Sequence, residues 1–268
     1  MQITMDNPFT VVKTGGDLLD TEEKRSAFLE AFAGLSEPKI LVHGGGKVAT
    51  QFAARLGISS KMVHGRRVTD AASLEVAVMV YGGLISRTLV AGLQALGCNA
   101  IGLTGADANL IRAHKRTGWE VDYGFVGDID AVDAAALCTL LSAGFVPVFA
   151  ALTHDGAGQL LNTNADTIAA SIATALAAEA RKPVQLIYCM QKPGVLENID
   201  EPQSLVQRLD PQRYQRMREQ GAIAEGMLPK LDTAFSALNS GVARVLIGQY
   251  QATFDPAGNT NYTELVRG

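Results

Sequence analysis

Short apolar runs that end in glycine clusters constrain the fold of this 268-residue chain more than any other feature. The run Lys39–Val42 leads into Gly44, Gly45 and Gly46, and a helical pattern then extends to about Leu56. The same order of apolar run, turn and helix recurs along the chain. It predicts an α/β protein in which helices cover an open, mostly parallel sheet. Ligands of such sheets bind beyond the carboxyl ends of the strands, where these glycines lie.

The pattern gives approximate bounds for each element. Strands are predicted over residues 10–14, 39–42, 99–103, 145–150, 184–188 and 242–247. Helices are predicted over residues 21–33, 46–56, 71–96, 130–142, 164–180, 211–220 and 224–240. We expect the helix over 71–96 to break near Gly82 and Gly83, because glycine weakens a helix interior. A β-hairpin is expected over residues 110–126, with Thr117 and Gly118 at its turn.

Charge and cysteine content exclude several classes of protein. The formal net charge of −4 argues against a dedicated nucleic-acid-binding protein. The three cysteines and four histidines show neither disulfide nor zinc spacing, so we expect a reducing, cytoplasmic setting. The first ten residues are polar and do not resemble a signal peptide. Ala134–Leu152 is uncharged, but Gly144 and Pro147 favour a helix and a buried strand over a membrane span.

Two lysines and the glycines indicate an anion-binding site. Lys13 lies within a strand, just before Gly15 and Gly16, and burying its charge is costly unless an anion is near. Three successive glycines before a helix allow main-chain N–H groups to approach an anion closely. Lys230 lies near the start of a helix, where the helix dipole disfavours a cation unless an anion compensates it.

Two further segments leave their interpretation open. Gly44, Gly46 and Ala49 satisfy the loose dinucleotide pattern GxGxxA, but no acidic residue ends the next strand, where Gly65-Arg66-Arg67-Val68-Thr69 stands. One of two adjacent arginines can turn inward and hold a carboxylate with its planar guanidinium group. In the segment 161–166, helix capping explains Asn164 and Asp166 but not Asn162, which lies outside the helix.

Seven motifs together resemble the amino-acid kinase family over about residues 10–250. They are VVKTGG (11–16), HGGG (43–46), GRRVT (65–69), GLTGAD (102–107), YGFVGD (123–128), LNTNAD (161–166) and GMLPK (226–230). Each motif alone is weak, but their order and separations are specific. The resemblance implies a three-layer αβα sandwich. It also implies ATP-dependent phosphorylation of the side-chain carboxylate of an N-acylated glutamate, a step of arginine synthesis, with Mg²⁺ bridging the ATP phosphates.

The resemblance also implies a role for each site residue. Lys13 and Lys230 would be the catalytic cations, with Asp166 orienting both. The phosphate-binding glycines would be Gly15, Gly16 and Gly44. The substrate-binding residues would be Gly45, Gly46, Arg67 and Asn162. The nucleotide-binding residues would be Gly194, Gly226 and Met227. Residues 1–178 would form the acyl-amino-acid-binding and dimerisation lobe, and residues 179–268 the nucleotide-binding lobe.

The chain departs from the family in one segment. Where many relatives end a strand with Thr/Ser-Asp, it reads Tyr188-Cys189-Met190-Gln191-Lys192-Pro193-Gly194. About nine residues precede the first strand, whereas arginine-inhibited hexameric relatives carry an extra helix there, so a homodimer without arginine feedback is expected. Alternatives include an N-succinylated glutamate or another family substrate, a sensor that retains the fold without strong catalysis, and an NAD-binding oxidoreductase.

Overall fold

The computed structural model describes residues 8–36, 38–58, 62–63, 66–118, 120–180, 182–223, 225–255 and 258–268, with the backbone alone for residues 62, 63, 66, 67 and 225. The strands are β1 (Phe9–Thr14), β2 (Lys39–His43), β3 (Met62–Val63), β4 (Arg66–Arg67), β5 (Ala100–Leu103), β6 (Ile111–Lys115), β7 (Gly127–Val132), β8 (Val146–Ala150), β9 (Leu152–His154), β10 (Leu160–Asn162), β11 (Val184–Cys189), β12 (Arg208–Leu209), β13 (Arg244–Gly248) and β14 (Tyr262–Leu265). The α-helices are α1 (Glu22–Ala33), α2 (Gly46–Arg55), α3 (Ala71–Ala77), α4 (Ser86–Ala95), α5 (Ala134–Ser142), α6 (Ala165–Glu179), α7 (Pro211–Glu219), α8 (Leu228–Asn239) and α9 (Tyr250–Thr253).

An eight-stranded sheet forms the centre of the molecule, in the order β12-β14-β13-β11-β1-β2-β8-β5. The six strands from β13 to β5 are mutually parallel, and β14 pairs antiparallel with β13. The central strands are almost entirely buried, as expected for a parallel sheet that is covered on both faces. Helices α5, α6 and α8 form one layer, and α4, α1 and α9 the other. The predicted αβα sandwich is therefore confirmed.

A smaller sheet, in the order β10-β9-β6-β7, lies beside the carboxyl ends of the main strands. It contacts α3 and α6. The hairpin prediction was correct for β6, but β6 pairs with β7, which begins only after the predicted segment ends. The helix predicted over 130–142 consequently begins at Ala134, after Asp133 caps it.

The predicted break at Gly82 and Gly83 is wrong. Residues Val78–Ile85 form a π-helical stretch that joins α3 to α4 without interruption. Tyr81 and Ile85 are buried in this stretch, so tertiary packing outweighs the weak helix propensity of the two glycines. Ala71–Ala95 is long and apolar enough to cross a membrane by length and composition, but its α4 part packs on β5, β8 and α1. Ala134–Leu152, which the sequence also flagged, divides into α5 and β8.

The two lobes expected from the sequence share one sheet. Strands β1, β2, β5 and β8 precede residue 179, whereas β11, β12, β13 and β14 follow it. The two sets join where β1 pairs with β11. The segment between α6 and β11 is thus the natural boundary, and its assignment as a boundary between two functional lobes stays a prediction.

Candidate active site

Three charged side chains that are far apart in sequence converge at the carboxyl edge of the sheet. Lys13 lies on β1, Asp166 in the first turn of α6, and Lys230 in the first turn of α8. The Nζ atoms of Lys13 and Lys230 lie 2.9 and 2.7 Å from the same oxygen, Oδ1 of Asp166. The side chains of both lysines are 13% exposed, and that of Asp166 is 18% exposed. The cluster is thus largely shielded but still reachable from solvent.

Local structure fixes where each charge stands. The side-chain Oδ1 of Asn164 accepts hydrogen bonds from the main-chain N–H groups of Asp166 and Thr167, which starts α6. Pro229 is the second residue of α8, and Lys230 follows it in the first turn. Lys13 precedes the end of β1 by one residue, so its side chain leaves the sheet beside the starts of both helices.

The cluster carries one net positive charge, with strong mutual effects. Burial opposes ionisation of Asp166, but the two ammonium groups hold the pKa of its carboxyl well below the usual range. Burial and the charge of Lys13 lower the pKa of Lys230 to about 8, against the opposite influence of Asp166. Asp166 is therefore an anion throughout the physiological range, and a second anion would stabilise the charged form of Lys230.

The first glycine loop follows β1. The N–H of Gly15 donates to the carbonyl of Cys189 at 3.3 Å, which ties the loop to β11. Gly16 opens a short 3₁₀ turn, and a side-chain Cβ placed there would meet no atom within 4 Å. Of the two predicted phosphate-binding glycines in this loop, Gly16 is thus the one that faces open space.

The second glycine loop follows β2 and leads into α2. Gly44 lies beside the start of α6, with Ala165 3.8 Å from the position of a Cβ. A Cβ on Gly45 would lie 2.4 Å from Ile85 and 2.7 Å from Tyr81, so any larger residue there would have to displace these side chains. Gly46 begins α2, which points its positive dipole end at this edge. All three glycines therefore belong to one surface next to the charged cluster.

A buried histidine lies under this loop. The Nδ1–H of His43 donates to the carbonyl of Gly44 at 2.9 Å. Complete burial lowers the pKa of His43 to about 4, so its imidazole is neutral near pH 7. His43 thus shapes the loop and does not act as a proton carrier there.

Asn162 belongs to a second group near the same edge. Its Nδ2 donates to Oγ1 of Thr69 at 3.0 Å, and its N–H donates to the carbonyl of Phe125 at 2.9 Å. Thr69 in turn is bonded through its main chain to Tyr123 and Phe125. These bonds join the predicted motifs 65–69, 123–128 and 161–166 into one wall. The backbone of Arg67 lies in β4, but its side chain is outside the described residues.

Two of the predicted nucleotide-binding residues, Gly194 and Met227, line an open cleft. It is lined by Lys192, Gly194, Val195, Leu196, Ile199, Ala222, Ile223 and Met227. Gly194 and Met227 are therefore brought together, and Gly226 precedes Met227 directly. A Cβ on Gly194 would lie 2.5 Å from Thr263 Oγ1, so this glycine allows β14 to pack closely against the cleft. A mostly apolar cleft with one lysine suits a base and an attached phosphate.

Several contacts at this edge were not predicted from the sequence. Lys47, directly after the second glycine loop, pairs with Asp20 and lies 3.8 Å from Asp17, both of which follow the first loop. The Nε2 of Gln191 donates to the carbonyl of Asp17, and Gln249 donates to the carbonyl of Gln191. The loops after β1, β2, β11 and β13 are thus linked. In the sequence, the unusual segment 188–194 was the only indication of these contacts between loops.

These groups together are suited to binding polyanions. The two ammonium groups lie at the same edge of the sheet as the glycine loops and the amino terminus of α2. They can hold polyanions together and offset charge that develops between them, without a proton-transfer group. The described residues contain no cluster of three or more histidine, cysteine, aspartate or glutamate side chains that could hold a metal ion.

The fold and this site define a class of phosphoryl-transfer enzymes. The sequence profile of the amino acid kinase family matches residues 8–249, so the chain belongs to that family and is a kinase that uses ATP.

Three relatives that are similar to this chain share one name within the family. The acetylglutamate kinase of Bacteroides fragilis is 51% identical over 92% of this chain and 94% of its own length. That of Bacteroides thetaiotaomicron is 50% identical over 95% of this chain and 98% of its own length. The acetylglutamate kinase of Methanopyrus kandleri is 39% identical over 92% and 98% of the two chains.

Solved structures of other enzymes share the fold. An N-acetylglutamate synthase from Neisseria gonorrhoeae, in complex with coenzyme A and N-acetyl-glutamate, superposes with a TM-score of 0.81 at 24% identity, over 98% of this chain and 60% of that one. An isopentenyl phosphate kinase superposes with a TM-score of 0.62 at 18% identity, over 96% of this chain and all of the other. These likenesses concern the fold alone.

Proposed function

We propose that the protein transfers the γ-phosphoryl group of ATP to the side-chain carboxylate of N-acetyl-L-glutamate, in the arginine-synthesis step that its relatives' name denotes. The observation that carries this proposal is the pair of lysines on one carboxylate, Lys13 and Lys230 on Asp166, between two glycine loops. About half-identity to acetylglutamate kinases over nearly the full chain supports the choice of acceptor.

The acceptor needs no general base. A glutamate side chain in water has a pKa of about 4.3, so it is already ionised near pH 7. One of its oxygens forms the new bond to the γ-phosphorus while the bond from that phosphorus to the β-phosphate bridging oxygen breaks. ADP leaves with that electron pair, and no proton has to move. Catalysis then consists of alignment and of cancelling repulsion between two anions.

Each element of the site has a part in that task. Lys13 and Lys230 neutralise the transferring phosphoryl group, while Asp166 keeps both ammonium groups in place. The amides of Gly16, Gly44 and Gly45 donate to phosphoryl oxygens, and Gly15 anchors the first loop. The acyl-glutamate is held by Gly46, Asn162 and Arg67. The cleft with Gly194, Gly226 and Met227 holds the nucleotide.

Mg²⁺ fits this donor set as a companion of ATP. Oδ1 of Asp166 already meets two ammonium groups, so oxygens of the ATP phosphates would supply most of the ligands. When bound, the ion would supply further positive charge to the ATP phosphates.

A direct assay tests the acceptor. Purified enzyme with ATP and Mg²⁺ is offered N-acetyl-L-glutamate, N-succinyl-L-glutamate or free L-glutamate, and hydroxylamine traps any acyl phosphate as a hydroxamate. We expect hydroxamate and ADP in equal amounts with N-acetyl-L-glutamate, and little of either with free glutamate. A larger kcat/KM with N-succinyl-L-glutamate would show that the preferred acceptor carries a succinyl group instead of an acetyl group. Lack of turnover with both acylated compounds would contradict the proposal.

We also propose that the protein is a cytoplasmic homodimer. Cys98, Cys138 and Cys189 are all free thiols, which suits a reducing compartment.

Met79 and Leu84 on the π-helical stretch are 54% and 48% exposed, and β5 ends the main sheet nearby. Apolar side chains beside a sheet edge favour a second copy as their cover. Light scattering should give twice the 28.3 kDa chain mass, and the M79K variant should dissociate; a monomeric parent would contradict this.

A further inference from the structure

We infer that Tyr188 is a positioning residue for the lysine cluster, because its ring supports the Lys230 ammonium group. This inference deepens the proposed function and rests on the role given there to Lys230.

The geometry places Tyr188 against all three charged residues. It lies on β11 opposite Lys13 in the register of the β1–β11 pair. The Nζ of Lys230 lies 4.7 Å from the centroid of its ring. Its hydroxyl donates to the main-chain carbonyl of Asp166 at 3.1 Å. One side chain thus touches the first turn of α6 and the ammonium group of α8.

Burial makes this arrangement specific. Tyr188 is fully buried and is the largest fully buried side chain of the described residues. A buried phenol needs a hydrogen-bond partner, and the Asp166 carbonyl provides one. A cation within about 6 Å of a ring centroid is attracted by the negative face of the ring, most strongly where water is excluded. The face below Lys230 therefore favours the charged form of that lysine.

The ring compensates for a shortage of negative charge around Lys230. Within the part of the chain that the structure describes, the titratable groups that face Lys230 are Lys13 on β1, Asp166 on α6, and Tyr188 and Cys189 on β11. Asp166 alone is shared between two ammonium groups. An aromatic face adds attraction without adding an anion that would repel the incoming phosphates. This would explain an aromatic residue one position before the end of β11.

Substitutions of the same shape provide the sharpest test. Tyr188→Phe keeps the ring and removes the hydroxyl. Replacing Tyr188 with mono-, di- and trifluorinated phenylalanine then weakens the negative face stepwise at nearly constant volume. The readout is the alkaline limb of kcat/KM for ATP, which reports ionisations of the free enzyme.

We expect the alkaline limb of the Tyr188→Phe variant to occur near the same pH as that of the parent. Each added fluorine should move the limb to lower pH, by about one pH unit over the whole series, which is a tenfold change in the ionisation constant. Tyr188→Leu should show a similar shift and a fall in kcat/KM of about tenfold. NMR titration of the Lys230 side chain in labelled protein should follow the same order without any turnover. A limb and a lysine titration that stay fixed across the fluorinated series would overturn the inference.

A matched control separates positioning from general stability. Tyr250 on α9 packs edge-on against Phe28 on α1, in the layer without α6 and α8. Tyr250→Leu should lower the melting temperature and leave the alkaline limb in place; a shift like that of Tyr188→Leu would show the effect to be general and overturn the inference. An inactive parent would instead contradict the proposed function, and the NMR titration would still decide the role of Tyr188.

Discussion

At the scale of single residues, the molecule gathers three charges that the sequence keeps far apart. The resemblance to a family suggested Lys13, Asp166 and Lys230 as a set, and the fold brings them within hydrogen-bond distance. Their catalytic roles stay predictions, which substitutions at each position can test.

Removing either ammonium group should disable phosphoryl transfer. We expect K13A and K230A each to lower kcat at saturating ATP by about 10²-fold or more, as for loss of a preorganised charge donor. The double variant should be little worse than each single one, because the two lysines act on one group. K24A, on the exposed side of α1, should retain parental kcat. Near-parental kcat in K13A or K230A would remove that lysine from the mechanism.

The pH profile should show the unusual acidity of Lys230. Its pKa of about 8 predicts that kcat/KM for ATP falls above pH 8, as the ammonium group loses its proton. Asp166 favours the charged lysine, so D166N should move the limb to lower pH. A parental profile that is flat to pH 10 would contradict this.

The same ionisation affects stability with the opposite sign. Lys230 titrates near pH 8 in the folded protein and near 10.5 in the unfolded chain, so the folded state loses the proton first. Between these values the unfolded state binds more protons, and the free energy of unfolding rises with pH. Compared with K230M, the parent should therefore gain stability from pH 8 to 10.5, and denaturation at several pH values measures the difference.

The sequence could indicate these residue types but not all their contacts. A lysine before a glycine pair and a lysine at a helix start were recognisable, because both place a cation where it is costly. The ring of Tyr188 was not, because a buried strand with apolar residues on both faces does not reveal which way a side chain points. The bridge from Lys47 to Asp20 was also missed, since both side chains look like solvated surface charges.

At the scale of elements, the glycine loop after β2 depends on the helical stretch below it. Gly45 packs against Tyr81 and Ile85 with no room for a Cβ. We expect G45A to lower kcat/KM by more than about 10²-fold, because a displacement near 1 Å is enough to spoil alignment. G83A is its control, since a Cβ at Gly83 meets nothing within 4 Å. That variant should keep its activity; normal activity in G45A would contradict the prediction.

A buried lysine secures the end of α1. Lys39 is 2% exposed, and its Nζ donates to the carbonyls of Ala33 and Leu35 at 2.7 and 2.8 Å, over the ring of Phe32. K39M leaves both carbonyls unpaired, which should cost about 1–3 kcal/mol of unfolding free energy. Urea denaturation measures this cost, and kcat of the folded protein should be unchanged. A loss below about 0.3 kcal/mol, well under the cost of an unpaired buried acceptor, would show that water replaces the ammonium group.

The secondary-structure predictions were wrong or missing mainly where contacts between residues far apart in sequence determine the structure. Helix and strand periodicity located the parallel core, because those segments are long and apolar on both faces. The break at Gly82 was wrong because Gly45, far away in sequence, supplies the groove into which the π-helical stretch packs. Strand β14 was not predicted, since its antiparallel position between β12 and β13 depends on β13 already being in the sheet.

At the scale of the whole molecule, the two halves should unfold together. β1 lies between β2 and β11, so separating the halves would expose two inner strands. Hydrogen exchange in rising urea should therefore release the amides of β1 and β11 in one transition. Release of residues 184–189 at clearly lower urea than residues 9–14 would show independent halves.

Both halves of the chain contribute residues to the charged cluster, and this affects how such enzymes can acquire new substrates. Lys13 and Asp166 belong to one half and Lys230 to the other, and the chain passes between them once, from α6 to β11. If residues 1–178 hold the acceptor and residues 179–268 the nucleotide, as the sequence predicts, a genetic crossover in that connection would recombine the two preferences, with the Asp166–Lys230 pair spanning the junction. Hybrids of this chain with a distant relative, joined there, offer a direct route to new pairings of donor and acceptor.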